Sequence, residues 1–131
     1  MRVLALDYGS ARCGCALSDP TGTIATPIDP VARPATRAGL RAIARLVADR
    51  GAERVVVGLP LSLRGHDSVQ TLEARTFASD LQRTLGERVP VELYDERFTT
   101  VLAQASRGSS SSEDSRAAAH LLETWLRAQE H

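Results

Sequence analysis

Lysine is absent from this chain: all sixteen basic residues are arginine. A genome rich in G and C produces that bias, so the absence excludes no function, although arginine's planar fork suits phosphate oxygens better than an ammonium. No apolar run approaches the roughly 20 residues of a membrane span. The opening MRVLALDYG lacks an A-x-A-like cleavage site and reaches an Asp at position 7. It reads as a first strand rather than a signal peptide, and the expectation is a cytoplasmic protein. Cysteine is scarce, with two residues in 131. Cys13 and Cys15 lie two apart in a strand-like run and face one side with Leu17, a poor geometry for a disulfide. C-x-C is also too short for the usual zinc spacings, so both read as small core hydrophobes in a reduced protein. No internal repeat is visible.

Net charge is absent too, with sixteen acids against sixteen arginines, so bulk charge does not announce nucleic acid. The distribution is uneven. Residues 1–65 hold nine Arg and five acids, whereas residues 66–131 hold seven Arg and eleven acids. Such asymmetry marks a basic face beside an acidic one.

The length fits a single domain over residues 1–131 with a sizeable core. Hydrophobic periodicity predicts strands at 2–7, 12–18 and 21–29, the third opened by a DPTG turn at 19–22. A helical stripe follows from 35 to 49, stopped by Gly51. The segment 52–60 is apolar at every central position, as in a strand covered on both faces. A helix near 68–85 carries Val69, Leu72, Thr76, Phe77, Leu81 and Leu85 as its inner row, and Gly86 ends it. A fifth strand, RVPVELYDE (88–96), has Pro90 near its start, which suits an edge. Thr99 or Thr100 caps a short helix to about Ser106. Residues 107–113 are Ser-rich and read as mobile. The last helix starts near Asp114, with Ala118, Leu121, Leu122 and Trp125 inward. The order β-β-β-α-β-α-β-α-α predicts an α/β fold: a five-stranded mixed sheet, three strands antiparallel and then two parallel, flanked by helices.

Ligands of such sheets gather at the carboxyl ends of the parallel strands. Asp7 and Glu96 stand there, and Asp114 projects on the packed face of the last helix toward the same edge. Each has an ordinary explanation: a turn acceptor for Asp7, an ion pair with Arg97 for Glu96, and a Ser111–Asp114 capping box. Together they define a different site. Three converging carboxylates repel unless a hard cation lies among them, and oxygen-only donors select Mg²⁺ or Mn²⁺. Such a site activates water against a phosphodiester. Arg12 and Arg97 flank the acids as phosphate clamps. Arg33, Arg37, Arg41 and Arg45 recur every four residues, a pattern that a solvated helix face also produces.

Four stretches resemble the YqgF/RuvX family of RNase H-like proteins, over nearly the whole chain: LALDYGSARCGCALSD (4–19), VVVGLPLSLRG (55–65), YDERFTT (94–100) and EDSRAAAHLL (113–122). The resemblance implies an RNase H-like fold and a metal-dependent nuclease that matures the 5′ end of precursor 16S ribosomal RNA. Its catalytic and metal-binding acids fall on Asp7, Glu96 and Asp114. Ser10, Arg12, Gly58, Arg37, Arg41 and Arg97 are the candidate substrate contacts. Two features depart from the family pattern: Ala11 replaces a frequent basic residue, and the segment between Thr100 and Asp114 is short and Ser-rich. Resolution of four-way DNA junctions is the alternative activity, for which a homodimer would suit symmetric cleavage. A binding module with a vestigial acidic cluster is the alternative without chemistry. An actin-like ATPase would need a second such domain.

Overall fold

The computed structural model describes residues 1–61, 64–96 and 113–129. Its strands are β1 (Val3–Asp7), β2 (Arg12–Ser18), β3 (Ala25–Ala32), β4 (Arg54–Leu59) and β5 (Val91–Asp95). Its helices are α1 (Arg37–Arg50), α2 (Val69–Leu85) and α3 (Glu113–Ala128). The sheet order is β3-β2-β1-β4-β5. β1–β2 and β2–β3 pair antiparallel, and β1–β4 and β4–β5 pair parallel. This is the mixed sheet that the periodicity predicts, with β5 at an edge.

Alternation sorts the strands' side chains into two cores. Leu4, Leu6, Cys13, Cys15, Leu17, Val55 and Val57 pack against Ile43 and Val47 of α1 and Phe77 and Leu81 of α2. Val3, Ala5, Ala16 and Val56 pack on the other face against Ala118, Leu121, Leu122 and Trp125 of α3. β1 and β4 are thus covered on both sides, which is why they read as unbroken apolar runs. Fully burying one such aliphatic side chain contributes about 1.5–3 kcal/mol. Both cysteines are free and buried in the first core. Hydrogen bonding to Cys15 and burial push the Cys13 thiol well up, so it stays protonated and inert. Trp125 is a core residue whose Nε1 donates to Glu92 Oε2 at 2.9 Å.

Two elements differ from the sequence expectation. β3 begins at Ala25 rather than residue 21. The Asp19 carboxylate accepts the amides of Thr23 and Ile24 at 2.7 and 2.8 Å, holding 19–24 as a turn. In α2 the inward residues are Thr71, Ala74, Phe77, Ala78 and Leu81, while Val69 and Leu72 are 73% and 56% exposed. A reciprocal Ser68–Thr71 cap fixes the first turn, and Thr71 Oγ1 donates to the Pro60 carbonyl at 2.5 Å. That anchor turns Thr71 inward and the two apolar residues outward. The short helix expected after Thr99, the Ser-rich 107–112, Ser111 and Arg97 lie outside the described residues.

Candidate metal centre

β1 carries Val3 and Ala5 on the α3 face, so Asp7, two residues on, faces the same way at the strand's carboxyl end. Its cross-strand partner is Gly14 of β2. On β5, Tyr94 packs into the α3-side core and Glu92 meets Trp125 there. Glu96 continues that alternation one residue beyond the strand. Gly58 lies between the two acids on the same face, two residues past Val56.

Glycine at 14 and 58 is a matter of clearance. A Cβ on Gly58 would come within 2.4 Å of Glu96 Oε1, so the carboxylate lies directly over that backbone. A Cβ on Gly14 would meet the Asp114 carbonyl oxygen at 1.9 Å and the Ser115 nitrogen at 2.8 Å. The first turn of α3 therefore rests on β2 opposite Asp7. Buried Ser115 adds an anchor, its Oγ accepting from Cys15 N–H at 3.3 Å. Neither clearance is apparent from the sequence, although both glycines stand inside the quoted motifs.

Asp7 and Glu96 are hydrogen-bonded to each other. Burial, the bond to Asp7 and the Asp7 charge together push the Glu96 carboxyl up to about 9. Glu96 thus keeps its proton at neutral pH and donates it to Asp7. Burial also raises Asp7; the bond from Glu96 lowers it, and the Asp114 charge raises it again. No backbone amide of the following turn contributes to holding the Asp7 carboxylate. Its position is not that of a turn acceptor.

Asp114 sits at the same edge but turns elsewhere. Its Oδ2 accepts from Arg12 Nε at 3.2 Å, with the two side chains 40% and 68% exposed. Among the described residues no three His, Cys, Asp or Glu side chains stand already gathered for a metal ion. The structure therefore brings Asp7 and Glu96 into contact and sets Asp114 beside them, paired to an arginine. Ser10 is exposed in the β1–β2 turn and Gly58 is buried under Glu96. Arg37 and Arg41 are exposed on α1, in the opposite helical layer from α3.

A divalent ion suits this donor set. Two half-buried carboxylates in contact need a positive charge between them, and in this conformation a shared proton supplies it. The donors of Asp7, Glu96 and Asp114 are all carboxylate oxygens, which suit a hard cation rather than a softer metal.

A mixed sheet in this order, covered by helices on both faces, is the RNase H-like architecture. Thermus thermophilus RuvC, solved in complex with a Holliday junction substrate, superimposes with a TM-score of 0.66 at 15% identity, over 98% of this chain and 95% of that one. The fowlpox virus resolvase, solved with Holliday junction DNA, gives 0.59 at 13% identity over the whole of both chains. At such identities the likeness is one of fold. The chain belongs to the RuvX family, whose model, described as Holliday junction resolvase, matches residues 1–128. A relative from Mycolicibacterium paratuberculosis is 41% identical over 95% of this chain and 79% of its own. Another, from Maridesulfovibrio salexigens, is 34% identical over 96% of this chain and 98% of its own. Both carry the name "Putative pre-16S rRNA nuclease".

Proposed function

We propose that this chain is a metal-dependent endonuclease of structured RNA, acting in the cytoplasm on the 5′ end of precursor 16S ribosomal RNA. The observation that carries the reading is the half-buried, hydrogen-bonded Asp7–Glu96 pair at one sheet edge of a RuvX-family fold. The naming of its relatives supports the ribosomal substrate.

Asp7, Glu96 and Asp114 would hold the ion, Asp114 after releasing Arg12. When bound, Mg²⁺ or Mn²⁺ supplies an activated water and neutralises charge on the leaving oxygen. The protein's own part is positional. Gly58 seats the Glu96 carboxylate, Gly14 seats the start of α3, and the two cores keep both on one rigid edge. Arg12, largely exposed, has donors left over for a phosphate oxygen, and Ser10 lies in the same turn. Arg97 follows Glu96 directly and is a second candidate clamp.

Cleavage of four-way DNA junctions by the same residues is the second reading, favoured by the family's description. It would call for two copies related by a two-fold axis. The deciding experiment places precursor 16S rRNA and a four-way DNA junction side by side, with Mg²⁺, Mn²⁺ or EDTA. RNA cut near its 5′ end, with the junction left intact, supports the proposal. The reverse pattern supports the second reading, and binding without cleavage in either metal leaves a binding module.

A further inference from the structure

Arg37, Arg41 and Arg45 are all exposed along α1, and the same helix buries Gly39, Ile43 and Val47. Each arginine stands two residues, or about 200°, from a buried neighbour, so the ridge points directly away from the sheet. Helix stability does not ask for such a row. Like charges four apart destabilise a helix, and cations near its start oppose the macrodipole. α1 has no acid in its first turn to offset them. Arg12–Asp114, Arg54–Glu92, Arg75–Asp67 and Arg83–Asp80 form ion pairs, and none of these involves the ridge. α2 contributes to two of those pairs, whereas the α1 row, which ends in exposed Asp49 one turn past Arg45, contributes to none. A local rule broken without structural return is where a functional surface is expected.

The ridge is tied to the acidic edge. Ala32 pairs with Arg12, and Arg33 N–H donates to the Ala11 carbonyl at 2.9 Å. Arg33 holds φ at +42°, and its carbonyl accepts the Thr36 hydroxyl at 2.7 Å. A Cβ on Gly39 would lie 2.2 Å from that same carbonyl, so α1 nests tightly into the corner. The positive end of α1 is thereby locked to the turn that follows Asp7. From there the ridge runs back about 12 Å to Arg45, the distance of three to four phosphates along one strand.

We propose that the α1 ridge docks the sugar-phosphate backbone of a second arm of a branched or folded nucleic acid. The scissile phosphodiester of that substrate lies at Asp7 and Glu96, so the inference rests on the nuclease reading. The acids lie on the α3 side of the sheet and the ridge on the outer surface of the α1 side. A substrate that touches both must turn around the β1–β2 corner. Bending a straight duplex through such a corner is costly, whereas a junction or an unpaired joint supplies the turn. The selectivity is therefore for shape, and phosphate contacts alone carry it.

The test is equilibrium binding in EDTA, where no cleavage intrudes, with three probes made in RNA and in DNA: a straight duplex, a stem with a single-stranded tail, and a four-way junction. Arg37→Gln/Arg41→Gln/Arg45→Gln is compared with a control of equal charge loss, Arg75→Gln/Arg83→Gln/Arg88→Gln. The ridge variant should lower the slope of log K against log salt by about 2–3 for the branched probes. It should weaken them at least about tenfold and the straight duplex far less, while the control stays near wild type. An unchanged slope, an equal loss in the control, or an equal loss on the straight duplex would overturn the proposal. Failure of the nuclease reading shows separately, as wild-type binding with no cleavage in Mg²⁺ or Mn²⁺.

Discussion

Gly58 lies directly beneath the carboxylate of Glu96, 2.4 Å from where its Cβ would be to Oε1. The obstructing group is the end of a flexible side chain, so Gly58→Ala should displace Glu96 and leave the sheet intact. A shift of about 1 Å at a reacting centre costs on the order of 10²-fold in rate. Cleavage by Gly58→Ala should fall by about that factor with a melting temperature within a few degrees of wild type. A variant that cleaves normally would show that Glu96 does not work from this position.

Gly14 makes the opposite case, because its Cβ would strike backbone. With the Asp114 carbonyl at 1.9 Å, Gly14→Ala must lift the first turn of α3 off β2. Overpacking of this kind costs about 1–3 kcal/mol or more, so thermal denaturation should show a loss of roughly 5–15 °C. Activity should fall with it, since Asp114 moves too. An unchanged melting temperature would mean that α3 does not rest on β2 as described.

How much of this was legible beforehand depends on the range of the interactions. Strands β1 and β4 announce themselves because burial on both faces leaves no polar residue within 3–6 or 55–59. Asp7 and Glu96 follow from strand ends and alternation alone. The outward turn of Val69 and Leu72 does not, because it is set by Thr71 reaching the Pro60 carbonyl across a loop. β3 starts late because the Asp19 carboxylate captures two amides ahead of it. The Arg12–Asp114 pair joins residues 102 positions apart, and no local pattern carries such a contact.

The Asp7–Glu96 contact should make the metal-free protein sensitive to pH. Folding raises Glu96 from 4.5 to about 9 and raises Asp7 as well. Between those values the folded chain holds a proton that the unfolded chain releases, so stability declines as pH rises. In EDTA the wild-type melting temperature should therefore drop between pH 6 and 9 relative to that of Glu96→Gln, whose amide keeps a donor without a titrating proton. Mg²⁺ should reduce the difference by replacing the proton. Parallel curves for the two proteins in EDTA would contradict the shared proton.

Asp7→Asn probes the carboxylate that ends the first strand. The substitution keeps the shape, removes one charge, and leaves the half-buried Glu96 without its acceptor anion. Two of the causes that raise Glu96, the bond to Asp7 and the Asp7 charge, are lost, and burial and the Asp95 charge remain. The pH dependence described above should shrink accordingly, and the metal-free fold should be as stable as wild type or slightly more so, because repulsion from Asp114 is also relieved. Catalysis should respond in the other direction, falling by orders of magnitude as an ion ligand disappears. Mg²⁺ should raise the melting temperature of the wild type more than that of Asp7→Asn, since only a ligand bound to the folded state shifts the folding equilibrium. These readouts separate a metal ligand from a structural carboxylate. A structural Asp7 would lose stability on mutation and show the same small Mg²⁺ response in both proteins. An Asp7→Asn protein that is less stable than wild type yet cleaves RNA at the wild-type rate would remove the metal centre from this edge.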